Sequence, residues 1–213
     1  MECEVHGDGR DVVLLLATIH GNEVAGTPLL RRLAEHLAAN PRIVEGRTVV
    51  LVPVANPDGM ARGLRNNARG VDLNRNFPAP NFSGRQGHGV KPLSEPESRA
   101  LHRLLERHRP DRVVSIHQPT NLPACIDYDG PGAALAREMS RHTDLPLYRI
   151  GARPGSLGSY VGTTMGKPII TLEIPRFQGD MDPDVVWERY GRALLAVIAF
   201  EGPEEVRAGE SRE

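Results

Sequence analysis

The 213-residue chain is short of aromatic side chains, with four Phe, four Tyr and one Trp, and short of lysine, with only Lys91 and Lys167. So few aromatic faces leave little for stacking nucleobases. An excess of one charge sign is missing too: 26 Lys+Arg stand against 27 Asp+Glu, a net charge of −1, which speaks against an electrostatic nucleic-acid binder. Cysteine is nearly absent. Cys3 and Cys125 make neither a CxxC pair nor a disulfide framework, and a chain of this length builds a core without staples. The apolar run Val12 to Ile19 falls far below the ~20 residues of a membrane span. The start, Met1 to Asp11, is polar and mixed in charge, unlike a secretory signal. The expectation is a cytoplasmic protein with no nucleic-acid or membrane partner; composition is silent on oligomeric state.

What is present is arginine and alternation. The 24 arginines are scattered, which reads as compositional bias but supplies many candidates for carboxylate recognition. No repeat and no Pro-, Gly- or Ser-rich linker divides the chain, so residues 1–200 read as one domain and the charged stretch 201–213 as a disordered tail. Val12–Ile19 and Thr48–Val54 read as buried strands, with a helix over about Val24–Ala39 between them. Ser94-Glu95-Pro96-Glu97 reads as a capping box opening a helix that stops at Arg109-Pro110. Strand Arg112–Ile116, a short strand Ala124–Ile126, a helix near Gly132–His142, strand Pro168–Ile174 and a helix around Pro183–Phe200 follow. This order predicts an α/β fold: a mixed, largely parallel twisted sheet covered by helices on both faces. Asn56–Val90, rich in turn signals and without helical period, is predicted to be a long functional loop.

Candidate chemistry gathers at strand ends, where open α/β sheets bind ligands. His20 and Glu23 follow the first strand, and Gly21 between them permits a turn tight enough for both to meet one ion. Alone, this pair reads first as a surface histidine and a helix-start glutamate. His117, closing the strand Arg112–Ile116, completes His₂Glu, a ligand set of catalytic zinc sites that leaves a position for water. Glu173, in the apolar run Ile169–Ile174 just before Pro175, is the best-placed general base, since a carboxylate there must be exposed, paired or functional. Asp127 and Asp129, after the short strand, are second choices. In the long loop, Arg75 with Asn74 is a candidate anchor for a substrate carboxylate, and Arg65 a candidate oxyanion donor.

Seven segments carry a family resemblance: His20-Gly-Asn-Glu23, Asn56-Pro-Asp-Gly59, Arg65-Asn-Asn67, Gly70 to Phe77, Ser94-Glu-Pro-Glu97, Ser115-Ile-His117 and Thr171-Leu-Glu173. In this order they resemble the zinc metallocarboxypeptidases, over about residues 11–200. The compact spacing, Gln118-Pro119, Cys125 to Pro131 and Pro154 to Gly158 are similar to the murein peptide amidase branch. The resemblance implies one Zn²⁺ on His20, Glu23 and His117, Glu173 as general base and acid, Arg65 on the oxyanion, and Asn74 with Arg75 on the free carboxylate of a small peptide. It implies hydrolysis of the γ-D-Glu–meso-diaminopimelate bond of murein tripeptide during cell-wall recycling. An N-acyl amino acid deacylase of the aspartoacylase and succinylglutamate desuccinylase kind, a general metallocarboxypeptidase and a catalytically inactive binding module are the alternatives. The mobile tyrosine of carboxypeptidases has two candidates here, Tyr148 and Tyr160, and Pro154–Tyr160 is expected on the leaving-group side. Strands that precede the first core strand in larger relatives are expected to be missing or shortened.

Overall fold

A computed structural model of the protein describes residues 1–120, 122–176 and 182–202. The apolar, non-alternating run after Asp11 forms β2 (Asp11–Ala17), a strand covered on both faces. Beside it lie β3 (Arg47–Val52) and β4 (Arg112–His117), with β6 (Ile169–Glu173) outside β4, and these four are parallel. Two antiparallel edge strands, β1 (Glu4–His6) and β5 (Cys125–Asp129), complete the order β1-β3-β2-β4-β6-β5. The chain leaves β2 for β3 on one side and later enters β4 on the other. The crevice between the carboxyl ends of β2 and β4 is therefore a topological switch point.

Each face has its own core. On one, Val13, Leu15, Val114 and Ile170 pack under α1 (Gly26–Ala39), α4 (Ala133–Ser140) and α6 (Pro183–Ala199), which bring Leu30, Leu33, Met139, Tyr190 and Leu194. On the other, Leu14, Leu16, Val50 and Val113 meet Leu101 and Leu105 of α3 (Pro96–His108), together with Leu73, Phe77 and Tyr160. Each fully buried aliphatic side chain contributes ~1.5–3 kcal/mol.

Three expectations change. The loop Asn56–Val90 contains α2 (Pro57–Arg62), capped by the Asn56 side chain and closed by left-handed Gly63, and a 3₁₀ turn at Leu73–Arg75. Helices of one or two turns are too short to show a period. Ser94 does not cap α3: the N-cap is Glu95, without a side-chain cap, because the Ser94 hydroxyl donates to Glu95 Oε1 at 2.7 Å and accepts from Asn76 Nδ2. β5 runs on to Asp129, so Asp127 and Asp129 lie within the strand rather than after it. β1, which precedes the first core strand, has three residues, in keeping with the expected shortening. The tail, from 203 onward, lies outside the described residues.

Candidate active site

The site starts from a strained turn at the end of β2. Thr18 has φ 53°, a left-handed conformation that β-branched residues rarely adopt. Its hydroxyl donates to the Glu23 carbonyl at 3.2 Å and meets the Thr27 hydroxyl at 2.7 Å, while Thr27 bonds the Pro53 carbonyl. Asn56 braces the turn from outside, with Nδ2 donating to the carbonyls of Ile19 and Arg65. Gly21 lies against Gly59 so closely that a Cβ would come within 2.1 Å of the Gly59 carbonyl carbon. The His20-Gly-Asn-Glu23 and Asn56-Pro-Asp-Gly59 segments are thus two halves of one packed unit.

From this turn His20 and Glu23 converge with His117, which ends β4. His20 Nδ1 and His117 Nδ1 lie 3.0 and 2.9 Å from Glu23 Oε2 and 3.2 Å from each other. Tetrahedral ligands at zinc-to-nitrogen or zinc-to-oxygen distances stand roughly 3.3 Å apart. This buried donor triangle is close to that size, and it is the group among the described residues that could hold a metal ion. The other ring nitrogens are occupied: His20 Nε2 by Asp72 Oδ1 at 3.2 Å and His117 Nε2 by the Ser115 hydroxyl at 3.0 Å. Such outer partners fix which nitrogen faces a metal.

Burial alone would raise the Glu23 carboxyl, yet hydrogen bonds and charge from His117 and His20 hold it well below the usual carboxylate range. Asp72 is held low in the same way, by His20 first and then by Arg65 and Arg75. Burial works against a charged His20, but Asp72 and Glu23 outweigh it and raise its pKa. Arg65 spans the mouth of this group, with Nη1 3.1 Å from Glu23 Oε1 and Nη2 3.1 Å from Asp72 Oδ2.

The β4–β6 register sets His117 beside Glu173. Glu173 is 7% exposed, and its Oε2 is buried without a hydrogen-bond partner. Burial raises its pKa, with Glu23 adding and His117 and His20 opposing. Across the β5–β6 pair stands Cys125, whose thiol is pushed up to about 11 by burial and then by Glu173 and Asp127, so it is no nucleophile at neutral pH. Asn74 accepts the Leu157 amide at 2.8 Å and gives its carbonyl to Arg75 Nη1.

All seven residues expected at the site, His20, Glu23, Arg65, Asn74, Arg75, His117 and Glu173, line one cleft of about 390 Å³. Asp127, Asp129, Arg153 and Ser156 share it; the two tyrosines do not. Tyr148 is 59% exposed, and Tyr160 is held in the core by His102 and Phe77. Sequence reasoning gave Asp72 no role. The signal lay in Asp72-Leu-Asn-Arg75, a carboxylate directly before the two expected anchors.

A largely parallel sheet with a switch-point crevice, a His₂Glu triangle and a nearby buried carboxylate oxygen without a hydrogen-bond partner defines a metallohydrolase. The chain belongs to the zinc carboxypeptidase family, whose sequence profile matches residues 3–130. Murein peptide amidase A of Escherichia coli is 36% identical over 93% of this chain and 84% of its own length. Its Vibrio campbellii counterpart is 33% identical over 87% and 76%. The crystal structure of the murein-tripeptide amidase from E. coli O157 superposes with a TM-score of 0.70 at 33% identity, covering 92% of this chain and 84% of that one. Carboxypeptidase A from Helicoverpa armigera, at 21% identity and a TM-score of 0.67 over 91% of this chain and 63% of that one, shares the fold.

Proposed function

We propose that the protein is a zinc-dependent amidase that hydrolyses the γ-D-Glu–meso-diaminopimelate bond of murein tripeptide, acting in the cytoplasm on recycled wall fragments. The observation that carries this reading is the convergence of His20 Nδ1, His117 Nδ1 and Glu23 Oε2 beside Glu173. The relatives named murein peptide amidases, matched over most of their length, supply the substrate class. His20, Glu23 and His117 would hold one zinc ion, which when bound supplies Lewis acidity, lowering the pKa of water and polarising a carbonyl.

The chain's own residues do the rest. Glu173, its pKa raised by burial and its Oε2 without a hydrogen-bond partner, takes the proton of the attacking water and returns it to the leaving amine. Arg65, fixed by Glu23 and Asp72, donates to the developing oxyanion. Arg75 and Asn74 orient the leaving residue through its free carboxylate, with Arg75 placed by its bond to the Asn74 carbonyl. Asp72 keeps the His20 ring turned so that Nδ1 faces inward.

A second reading, a metallocarboxypeptidase on α-linked peptides, fits the same carboxylate anchors and the relatives named carboxypeptidases. A substrate panel separates them: L-Ala-γ-D-Glu-meso-diaminopimelate, hippuryl-amino acids and N-acetylaspartate, read by mass spectrometry. Cleavage of the tripeptide with little on the others supports the amidase. Preference for hippuryl peptides selects the carboxypeptidase, and preference for N-acetylaspartate a deacylase.

A further inference from the structure

A carboxylate with no part in this chemistry stands in the same cleft. Asp129 closes β5, is 7% exposed, and lines the cleft together with Asp127. The β5–β6 register places Cys125, Asp127 and Asp129 opposite Glu173, Thr171 and Ile169. Alternate residues share a face, so the two carboxylates follow the general base along one surface in steps of ~7 Å.

The two acids differ in their partners. Asp127 Oδ1 accepts the amides of Tyr128 and Ile150, each at 2.9 Å, and of Gly151 at 3.5 Å. Asp129 has the Ala152 amide, and the charge of Arg149 opposes its protonation. That guanidinium stacks over the Tyr128 ring, 5.2 Å from its centre, rather than pairing with Asp129. Burial, then the charge of Asp127, pushes the Asp129 carboxyl up to about 6. Space has nevertheless been made for it. The segment formed by α5 (Leu157–Ser159) and the π-helical turn Tyr160–Thr164 carries Gly158 and Gly162, one turn apart. A Cβ on Gly158 would come within 2.4 Å of Asp129 Oδ2, and one on Gly162 within 2.7 Å of Asp129 Cβ. Two glycines thus clear room for a buried carboxylate that lacks a countercharge of its own and faces the cleft where the leaving residue binds.

We infer that Asp129, flanked by Asp127, is a specificity-determining residue that selects leaving residues carrying a cation on their side chain. The inference rests on the reading of this cleft as the substrate site. An ammonium reaching Asp129 makes a charge-assisted hydrogen bond that the fold does not satisfy internally. A neutral side chain of the same length leaves the carboxylate buried and unpaired, the kind of mismatch that gives large discrimination. Diaminopimelate carries such an ammonium; so does lysine, whereas norleucine is its near-isosteric neutral counterpart.

The test compares lysine with norleucine as leaving residue, on γ-D-glutamyl and hippuryl scaffolds, in the zinc-loaded protein and in Asp129→Asn. The expected result is a lysine preference in kcat/KM of ~100-fold that collapses in the variant, chiefly through KM for the lysine peptides. An equal loss on both peptides would mean a structural role and overturn the inference, as would a protein that never distinguished them. Lysine preference confined to hippuryl peptides would refute the amidase reading and uphold this one. Cleavage of γ-D-glutamyl peptides without lysine preference would do the reverse. If neither scaffold is cleaved, calorimetric titration with free L-lysine and L-norleucine decides. Tighter lysine binding that Asp129→Asn abolishes supports the inference, and equal affinities overturn it.

Discussion

Asp129→Asn, beyond its effect on selectivity, is expected to make the protein more stable at neutral pH. The carboxyl titrates near 3.8 when unfolded and at about 6 in the fold, because burial and then Asp127 disfavour its charge while Arg149 and the Ala152 amide only partly compensate. For an acid raised in this way the folded state binds more protons between those two values, so stability falls as pH rises through that window. The penalty is absent below about 3.8, grows up to about 6 and is constant above. The full gap corresponds to at most ~3 kcal/mol. Screening in a cleft open to solvent brings the expected penalty to ~1–2 kcal/mol. Asparagine keeps the shape and removes the charge, so the variant gains that amount at pH 7.5, or ~3–6 °C in melting temperature for a chain of this size, and almost nothing at pH 4. The assay is chemical denaturation of both proteins, metal-free, across pH 4 to 8. A variant less stable at pH 7.5, or a difference that does not change with pH, would show that the Asp129 charge carries no such penalty.

Thr18→Val keeps the shape but removes the hydroxyl that holds the Glu23 carbonyl and Thr27; a loss of ~1–3 kcal/mol in denaturation midpoint and weaker zinc retention under a chelator are expected. Thr18→Gly forfeits the same bonds but relieves the φ of 53°, so it should be less damaging than the valine variant by ~1 kcal/mol. Glu173→Gln should lower kcat by ~100-fold or more while zinc content by mass spectrometry stays at one ion per chain. Arg65→Ala should lower kcat by ~100- to 1,000-fold with a smaller change in KM. A drop confined to KM would place Arg65 in substrate binding instead.

The legible part of the site was the part set by strand ends. His20, His117 and Glu173 each stand at or just beyond the carboxyl end of an apolar run, so topology alone brings them to one crevice. Asp72 was not legible, because nothing in its turn-rich neighbourhood says that its side chain meets a histidine 52 residues earlier. The strain at Thr18 was invisible for a related reason: threonine favours strands, and it is the bonds of its hydroxyl to Glu23 and Thr27, with the Asn56 amide on its carbonyl, that hold it in a left-handed turn. The capping box at Ser94 failed because a tertiary partner, Asn76, and the adjacent Glu95 side chain claimed the hydroxyl first. β5 read as shorter than it is because Asp127 and Asp129 look like turn residues. The burial of Asp129 depends on Gly158 and Gly162, contributed from about thirty residues further on.

Zinc-dependent hydrolysis of the γ-D-Glu–diaminopimelate bond is decided by incubating the zinc-loaded protein with L-Ala-γ-D-Glu-meso-diaminopimelate and following products by mass spectrometry. Equimolar L-Ala-D-Glu and diaminopimelate are expected, with release that stops on chelation and resumes when zinc is returned. Intact tripeptide from a protein shown to hold one zinc per chain would contradict it.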